Sequence, residues 1–299
     1  MRTIFRKIIV VFALQMVLCG VKAADVNKTD LLGCWQRIDD EPDQMMRFEA
    51  ARFINVGKDY REILPVSYDQ GKVFLIPNDG PKTALVLALK DGVLTVTNGD
   101  HTEKYKKLTS VPSQLDLSPL KLGASVVLPA NKVKSVHDEL VKRIVEDQAV
   151  RTQADRQNDM GSVDRDNTKW LRELVEEVGW IDVKRFGSET ATKAFLIVQH
   201  SGDLRLMQAA LPEIEKDMQS GVGDPQDYAL LYDRLKLNLG EKQRYGSQIG
   251  QNDKGESVML PLEDKNKVEA YRKAIGLFPL SQYLQIMKQQ TGKAVKFPE

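Results

Sequence analysis

The chain has 299 residues, 43 basic and 42 acidic, with 42% hydrophobic and 28% charged residues, 12 Pro and 20 Gly. That length accommodates about two domains of ~150 residues, and the composition excludes a disordered, collagen-like or multi-spanning membrane protein. Near-balanced charge argues against a nucleic-acid partner, which needs a surplus of Lys and Arg on one face, and two cysteines cannot make a disulfide scaffold.

Arg2, Arg6 and Lys7 precede an apolar run from Ile8 to Leu18. The run is shorter than the ~20 residues a membrane-spanning helix needs, and it fits the core of a secretory signal. Val21 and Ala23 supply small side chains before the cut, so residues 1–23 are expected to be a signal peptide cleaved after Ala23, with the mature protein periplasmic or secreted and without a membrane span. The competing expectation is a lipoprotein anchored through Cys19; Leu18 stands directly before it, where such processing prefers a small residue. Cleavage also removes Arg2, Arg6, Lys7 and Lys22, which turns the formal charge of +1 slightly negative. It leaves Cys34, expected as a small buried hydrophobe.

Residues 24–108 are expected to form a small antiparallel β domain. Candidate strands run from Cys34 to Ile38, Met45 to Val56, Tyr60 to Tyr68, Lys72 to Ile76, Thr83 to Leu89, Val93 to Thr97 and His101 to Leu108. Segments such as Asp69-Gln70-Gly71, Asn78-Asp79-Gly80-Pro81, Lys90-Asp91-Gly92 and Asn98-Gly99-Asp100 separate them, combining Gly with Asn or Asp, residues that accept positive φ. Short strands at this spacing predict a meander barrel or sandwich. The opening Gly33-Cys34-Trp35 resembles the G-x-W entrance of lipocalin-like barrels. The resemblance implies that Trp35 plugs one end beneath a basic residue of the last strand, Lys104 or Lys106, and that the barrel takes a small apolar ligand. The alternative is that Trp35 fills a core too small to hold one.

Residues 109–134, carrying Pro112, Pro119 and Pro129, read as a linker. From Ser135 a helical period takes over and defines a mainly helical domain over 135–291, so that the whole is an α+β multidomain protein. Ser135 and Asp138 have capping-box spacing. Further helix starts are expected at Asp164 or Asp166, Ser188, Asp203, Pro225 and Asp264 and after Pro279, with a β-hairpin around Asn252-Asp253-Lys254-Gly255.

His200 closes an apolar helix, where the helix C-terminus favours an imidazolium. Asp233 and Arg234 are neighbours about 100° apart on a helix, so each needs its own partner. Asp147-Gln148 with Arg151, Asp164 with Asn167, Gly179-Trp180, Gln199-His200, Asp233-Arg234, Gln243-x-Tyr245-Gly246-x-Gln248, Leu262-Glu263-Asp264, Arg272 and Gly276-Leu277 together resemble a widespread bacterial domain family of unknown function, whose hallmarks are a QH pair, a DR pair and a QxYGTQ string. The match spans about Asp138 to Met287; Ser247 stands where the family usually has Thr, and Ile181 where Pro is common. The resemblance implies no activity.

Three functions therefore stay open. The helical domain binds a small polar or envelope-derived ligand through Arg234, Gln243, Tyr245, Gln248, Asp164 and Asn167. Alternatively it is a hydrolase with His200 as general base, oriented by Asp233 or Asp203, and water as nucleophile, since no G-x-S-x-G or Cys/His arrangement is present. In the third reading the same residues form a structural network, with Arg234 buried against Asp164 or Asp147. His101, His137 and His200 are scattered without ligand spacing and no phosphate-binding glycine loop is present, so neither a metal nor another cofactor is expected.

Overall fold

The structure is a computed structural model that describes residues 26–38, 41–58, 60–69, 72–76, 82–98, 101–252 and 254–297. The expected leader, its cleavage point and Cys19 lie outside these, as do parts of the turns expected at 69–71, 78–81 and 98–100. The chain divides after Asp116 into two compact units.

The first unit opens with a single helical turn, α1 (Lys28–Leu31), capped by Asn27, and continues as eight strands. These are β1 (Gly33–Arg37), β2 (Met45–Phe48), β3 (Arg52–Gly57), β4 (Tyr60–Asp69), β5 (Lys72–Leu75), β6 (Thr83–Lys90), β7 (Val93–Asn98) and β8 (His101–Lys107). Each pairs antiparallel with the next and β8 returns to β1, closing the barrel and leaving no free sheet edge. This up-and-down closure is consistent with the lipocalin-like resemblance. The sequence suggested one strand from Met45 to Val56; it is a hairpin, β2–β3, with Phe48 opposite Phe53. Its turn passes through Glu49, Ala50 and Ala51, which carry none of the Gly, Asn or Asp signals that marked the others.

The barrel interior is filled by Trp35, Phe48, Phe53, Val73, Leu87, Leu94 and Tyr105. Trp35 is almost wholly buried, and its Nε1 donates to the Leu31 carbonyl at 2.8 Å. The cation over the indole is Lys107, with Nζ 5.3 Å from the ring centroid. It is neither Lys104 nor Lys106, because the register sets Lys107 directly opposite Trp35 while Lys106 faces Gln36. Cys34 is buried, and burial pushes its thiol pKa up against the opposing charge of Arg47. Leu115 is buried within this unit and its carbonyl accepts from Arg47 Nη1 at 3.1 Å.

The second unit contains α2 (Ala130–Thr152), a 3₁₀ turn (Ala154–Asp159), α3 (Met160–Val178), α4 (Val183–Phe186), α5 (Ser188–Ser201), α6 (Leu204–Gln219) and α7 (Pro225–Asn238). A two-stranded hairpin follows, β9 (Ile249–Gln251) with β10 (Ser257–Met259), then α8 (Val268–Ala274) and α9 (Leu280–Thr291). Leu140, Leu171, Val175, Ile181, Ala194, Val198, Leu206 and Leu231 are fully buried in its core. The starts of α6 and α7 follow local chemistry: Asp203 accepts from the N–H groups of Arg205 and Leu206, and Asp224 caps α7 ahead of Pro225.

Three helix starts differ from expectation. Helix α3 begins at Met160, straight after the 3₁₀ turn, so Asp164 and Asp166 lie inside it and cap nothing. Helix α2 begins at Ala130 behind Pro129, whose fixed φ suits the position before a helix, so Ser135 lies inside it and Asp138 pairs with Lys134 at 2.6 Å. Helix α8 begins at Val268, and Asp264 instead closes a turn ahead of it by accepting from Asn266 N–H at 2.9 Å. Residues 117–123 lie on this unit's own helices: Leu120 N–H donates to the Arg205 carbonyl and Gly123 N–H to the Val175 carbonyl, both at 2.9 Å.

Candidate functional site

The buried stripe of α2 reads Val136, Leu140, Asp147, Val150, a carboxylate where the helical period calls for an apolar side chain. Asp147 is 0% exposed. A buried carboxylate costs several kcal/mol unless donors surround it, and Asp147 has three. Its oxygens lie 3.0 and 3.1 Å from His200 Nδ1, Gln148 Nε2 donates at 2.9 Å, and Arg151, one turn further on, approaches at 3.0 Å. Arg151 also reaches Asp164 Oδ1 at 2.6 Å, which ties α2 to α3.

His200 sits in the last turn of α5. Because the carboxylate accepts at Nδ1, the ring carries a proton there, and in the neutral form Nε2 is the free acceptor. Among the described residues nothing hydrogen-bonds Nε2, and the side chain is 19% exposed. An imidazole oriented from behind by a buried carboxylate, with its far nitrogen open, has the geometry of a general base or acid.

Arg234 reaches the same end of α5 from α7. Its Nη1 donates to the Gln199 carbonyl at 2.6 Å, one residue from His200, and its Nε donates to Gln248 Oε1 at 3.1 Å. No carboxylate pairs with Arg234 among the described residues. Burial pulls its pKa down, and the charge of Arg151 adds to that shift while Tyr283 opposes it. Asp164, Arg151, Asp147 and His200 are thus linked side chain to side chain, and the α5 backbone carries the chain of contacts on to Arg234 and Gln248.

The other expected site residues are engaged elsewhere. Asp233 is wholly buried and accepts from the N–H groups of Arg244 at 2.7 Å, Tyr245 at 3.0 Å and Ser247 at 2.9 Å, and from Ser247 Oγ at 2.9 Å. Burial pushes its carboxyl pKa up and these donors oppose the shift. Gln243 donates to the carbonyls of Gln248 at 3.0 Å and Leu260 at 2.7 Å, and accepts from Gln248 N–H at 2.9 Å. The Tyr245 ring meets Tyr232 edge-on at 5.4 Å, and its carbonyl accepts from the buried Arg272 at 2.7 Å. The loop from Gln243 to Gln248 is therefore folded around Asp233, with Gly246 at φ +67° making the turn, and Gln248 carries it to Arg234. Asn167 accepts from Arg143 at 3.0 Å.

The carboxylate behind His200 is thus Asp147, while Asp203 caps α6 and pairs with Arg172. Asp147 and Asp164 are held by Arg151 and not by Arg234. The sequence offered Asp147 only as a possible partner of Arg234 and gave Arg151 no role, although an acid on an apolar helical stripe with a cation four residues on was the available signal. Gln199 is a further surprise: it is 5% exposed, and both polar atoms of its amide lack a partner among the described residues. Two surface grooves, of about 300 and 690 Å³, are lined around Arg244 and around Trp170, and His200 and Arg234 belong to neither. Among the described residues no cluster of His, Cys, Asp and Glu has the makings of a metal site.

The fold and this polar cluster define a protein with an antiparallel β-barrel and a helical domain in which a buried aspartate backs a partly exposed histidine. Residues 130–296 match a family described as of unknown function, DUF6624, and the chain belongs to that family. No curated protein and no solved structure matches the chain.

Proposed function

We propose that the helical domain binds a small polar ligand at the open edge of His200 and that His200 exchanges a proton with it. The observation carrying this reading is the Asp147–His200 pair, in which the carboxylate is fully enclosed and the imidazole Nε2 is left unbonded among the described residues, while Arg234 holds the carbonyl of the neighbouring Gln199. A second reading, hydrolysis by a water that His200 deprotonates, is favoured by the same open Nε2 together with a guanidinium able to stabilise developing negative charge. A scaffolding role for Asp233 and Gln243 is supported by their bonds, since both side-chain polar atoms of Gln243 are taken up by Gln248 and Leu260 and both oxygens of Asp233 by the loop from Arg244 to Ser247.

The test is native mass spectrometry of the full chain purified from its source, with His200→Asn and Arg234→Gln alongside and turnover assayed on a panel of esters, amides and phosphoesters. A bound small molecule retained by the wild type and lost from both folded variants supports binding; turnover lost with it supports the hydrolase. Retention of the same molecule by both variants sinks the site.

Export belongs to the same proposal. It is supported by the basic residues ahead of the apolar run Ile8 to Leu18, and by the finding that no helix among the described residues is long and apolar enough to cross a membrane. N-terminal sequencing of the secreted or periplasmic protein is expected to start at Ala24; a chain beginning at Met1 in the soluble cell fraction contradicts it.

A further inference from the structure

The charge balance around His200 narrows the ligand to one chemical class, an inference that rests on the ligand-site reading above. A guanidinium has five N–H donors. On Arg234, one from Nε goes to Gln248 and one from Nη1 to the Gln199 carbonyl, and the Nη2 amino group has no acceptor among the described residues. Such a group inside a protein ordinarily has a carboxylate or a network of carbonyls around it. The two nearby carboxylates are already committed: Asp147 to His200, Gln148 and Arg151, and Asp164 to Arg151.

The charged and titratable groups facing this space are Asp147 and Arg151 from α2, Asp164 from α3, His200 from α5, Arg234 from α7 and Tyr283 from α9. With the imidazole neutral they sum to zero. With a proton on Nε2 the set holds one uncompensated positive charge, and two donors, Nε2–H and Nη2, stand unoccupied.

We propose that this site binds a small oxyanion, a carboxylate or phosphate group, accepting from Arg234 Nη2 and from the protonated Nε2 of His200. Charge-assisted bonds of this kind are the stronger ones, and a guanidinium is suited to both groups. Arg151 adds a second positive charge to the field felt by the anion and is itself held in place by its two carboxylates. The cluster therefore needs no rearrangement of Asp147 or Asp164 to receive the ligand.

The test is a titration of the full-length protein with sodium acetate and with inorganic phosphate, at ionic strength held constant with sodium chloride, following the side-chain 15N signals of His200 by long-range 1H–15N correlation. Acetamide serves as a neutral, polar probe of similar shape. Saturable movement of the His200 Nε2 signal with acetate or phosphate is expected, with Kd raised at least tenfold in Arg234→Gln and partly restored in Arg234→Lys. Circular dichroism confirms that the variants are folded, and the wild-type titration stands alone should either variant fail to fold. A response to acetamide without one to either anion overturns the anion assignment and leaves the ligand-site reading in place. Silence toward all three probes overturns both.

Discussion

Replacing Asp233 by Ala removes, in one step, the acceptor of three backbone N–H groups and a hydroxyl. The N–H groups of Arg244, Tyr245 and Ser247 all end on this carboxylate, and Tyr245 and Ser247 are each 5% exposed, so water cannot take its place without opening the loop. Each buried donor left without a partner costs about 1–3 kcal/mol, which for the three N–H groups puts the substitution at about 3–9 kcal/mol. That is a large share of the ~5–15 kcal/mol that holds a domain together. Urea unfolding of wild type, Asp233→Ala and Asp233→Asn, followed by helical circular dichroism, measures it. Asp233→Asn is expected to fall between the other two, because the amide oxygen still accepts from one side of the loop while its NH₂ faces donors on the other. The reasoning is refuted if Asp233→Ala unfolds within ~1 kcal/mol of wild type, the range of an ordinary surface substitution.

Other substitutions probe different parts of the molecule. Asp147→Asn leaves the packing volume unchanged but withdraws the anion behind His200, so the imidazole should lose its fixed Nδ1–H tautomer, visible in its 15N shifts; an unchanged tautomer contradicts the pairing. Asp227, half-buried on α7 near the carboxylate of Asp224, has its pKa pushed from 3.8 to about 7, by burial first and by Asp224 second. A raised acid pKa means that the folded state binds the proton more tightly, so stability falls as pH rises from about 4 through 7. The full shift is worth ~4 kcal/mol and solvent screening reduces it to about 2 kcal/mol, so Asp227→Asn should be more stable than wild type by that amount at pH 8 and equal to it at pH 4. Equal urea midpoints at both pH values would exclude this. Gly123→Ala places a Cβ 2.4 Å from the Glu176 carbonyl oxygen and should lower Tm by several degrees; an unchanged Tm speaks against that close approach. Trp35→Ala should cost the barrel about 3–5 kcal/mol, read from the barrel's unfolding in urea, whereas Lys107→Ala should cost under ~1 kcal/mol because the ammonium is exposed.

The residues that announced their structure did so through neighbours in the chain. Asp91 and Gly92 adopt positive φ in the β6–β7 turn that Lys90-Asp91-Gly92 predicts, and Asp203, Asp224 and Pro225 open helices by bonds or dihedrals that span three residues or fewer. Where a turn lacked such chemistry, as at Glu49 to Ala51, one expected strand became two. Where a cap signal competed with a proline upstream, as at Ser135, the proline set the helix start. Which lysine covers Trp35 depended on the register between β1 and β8, and a shift of one residue exchanges the faces.

The order of elements, the two-part organisation and the family resemblance were thus legible in the sequence, because turns, caps and hydrophobic periods act over a few residues. The partner of His200 was not. Asp147 lies 53 positions from it, and Asp203 and Asp233 were equally good carboxylates by sequence. Only the packing of α2 against α5 brought Asp147 to the imidazole, and only the fold of the loop from Arg244 to Ser247 onto α7 engaged Asp233 and left Arg234 without a counter-ion among the described residues, since hydrogen bonds between distant segments are fixed by where elements cross and not by any local spacing.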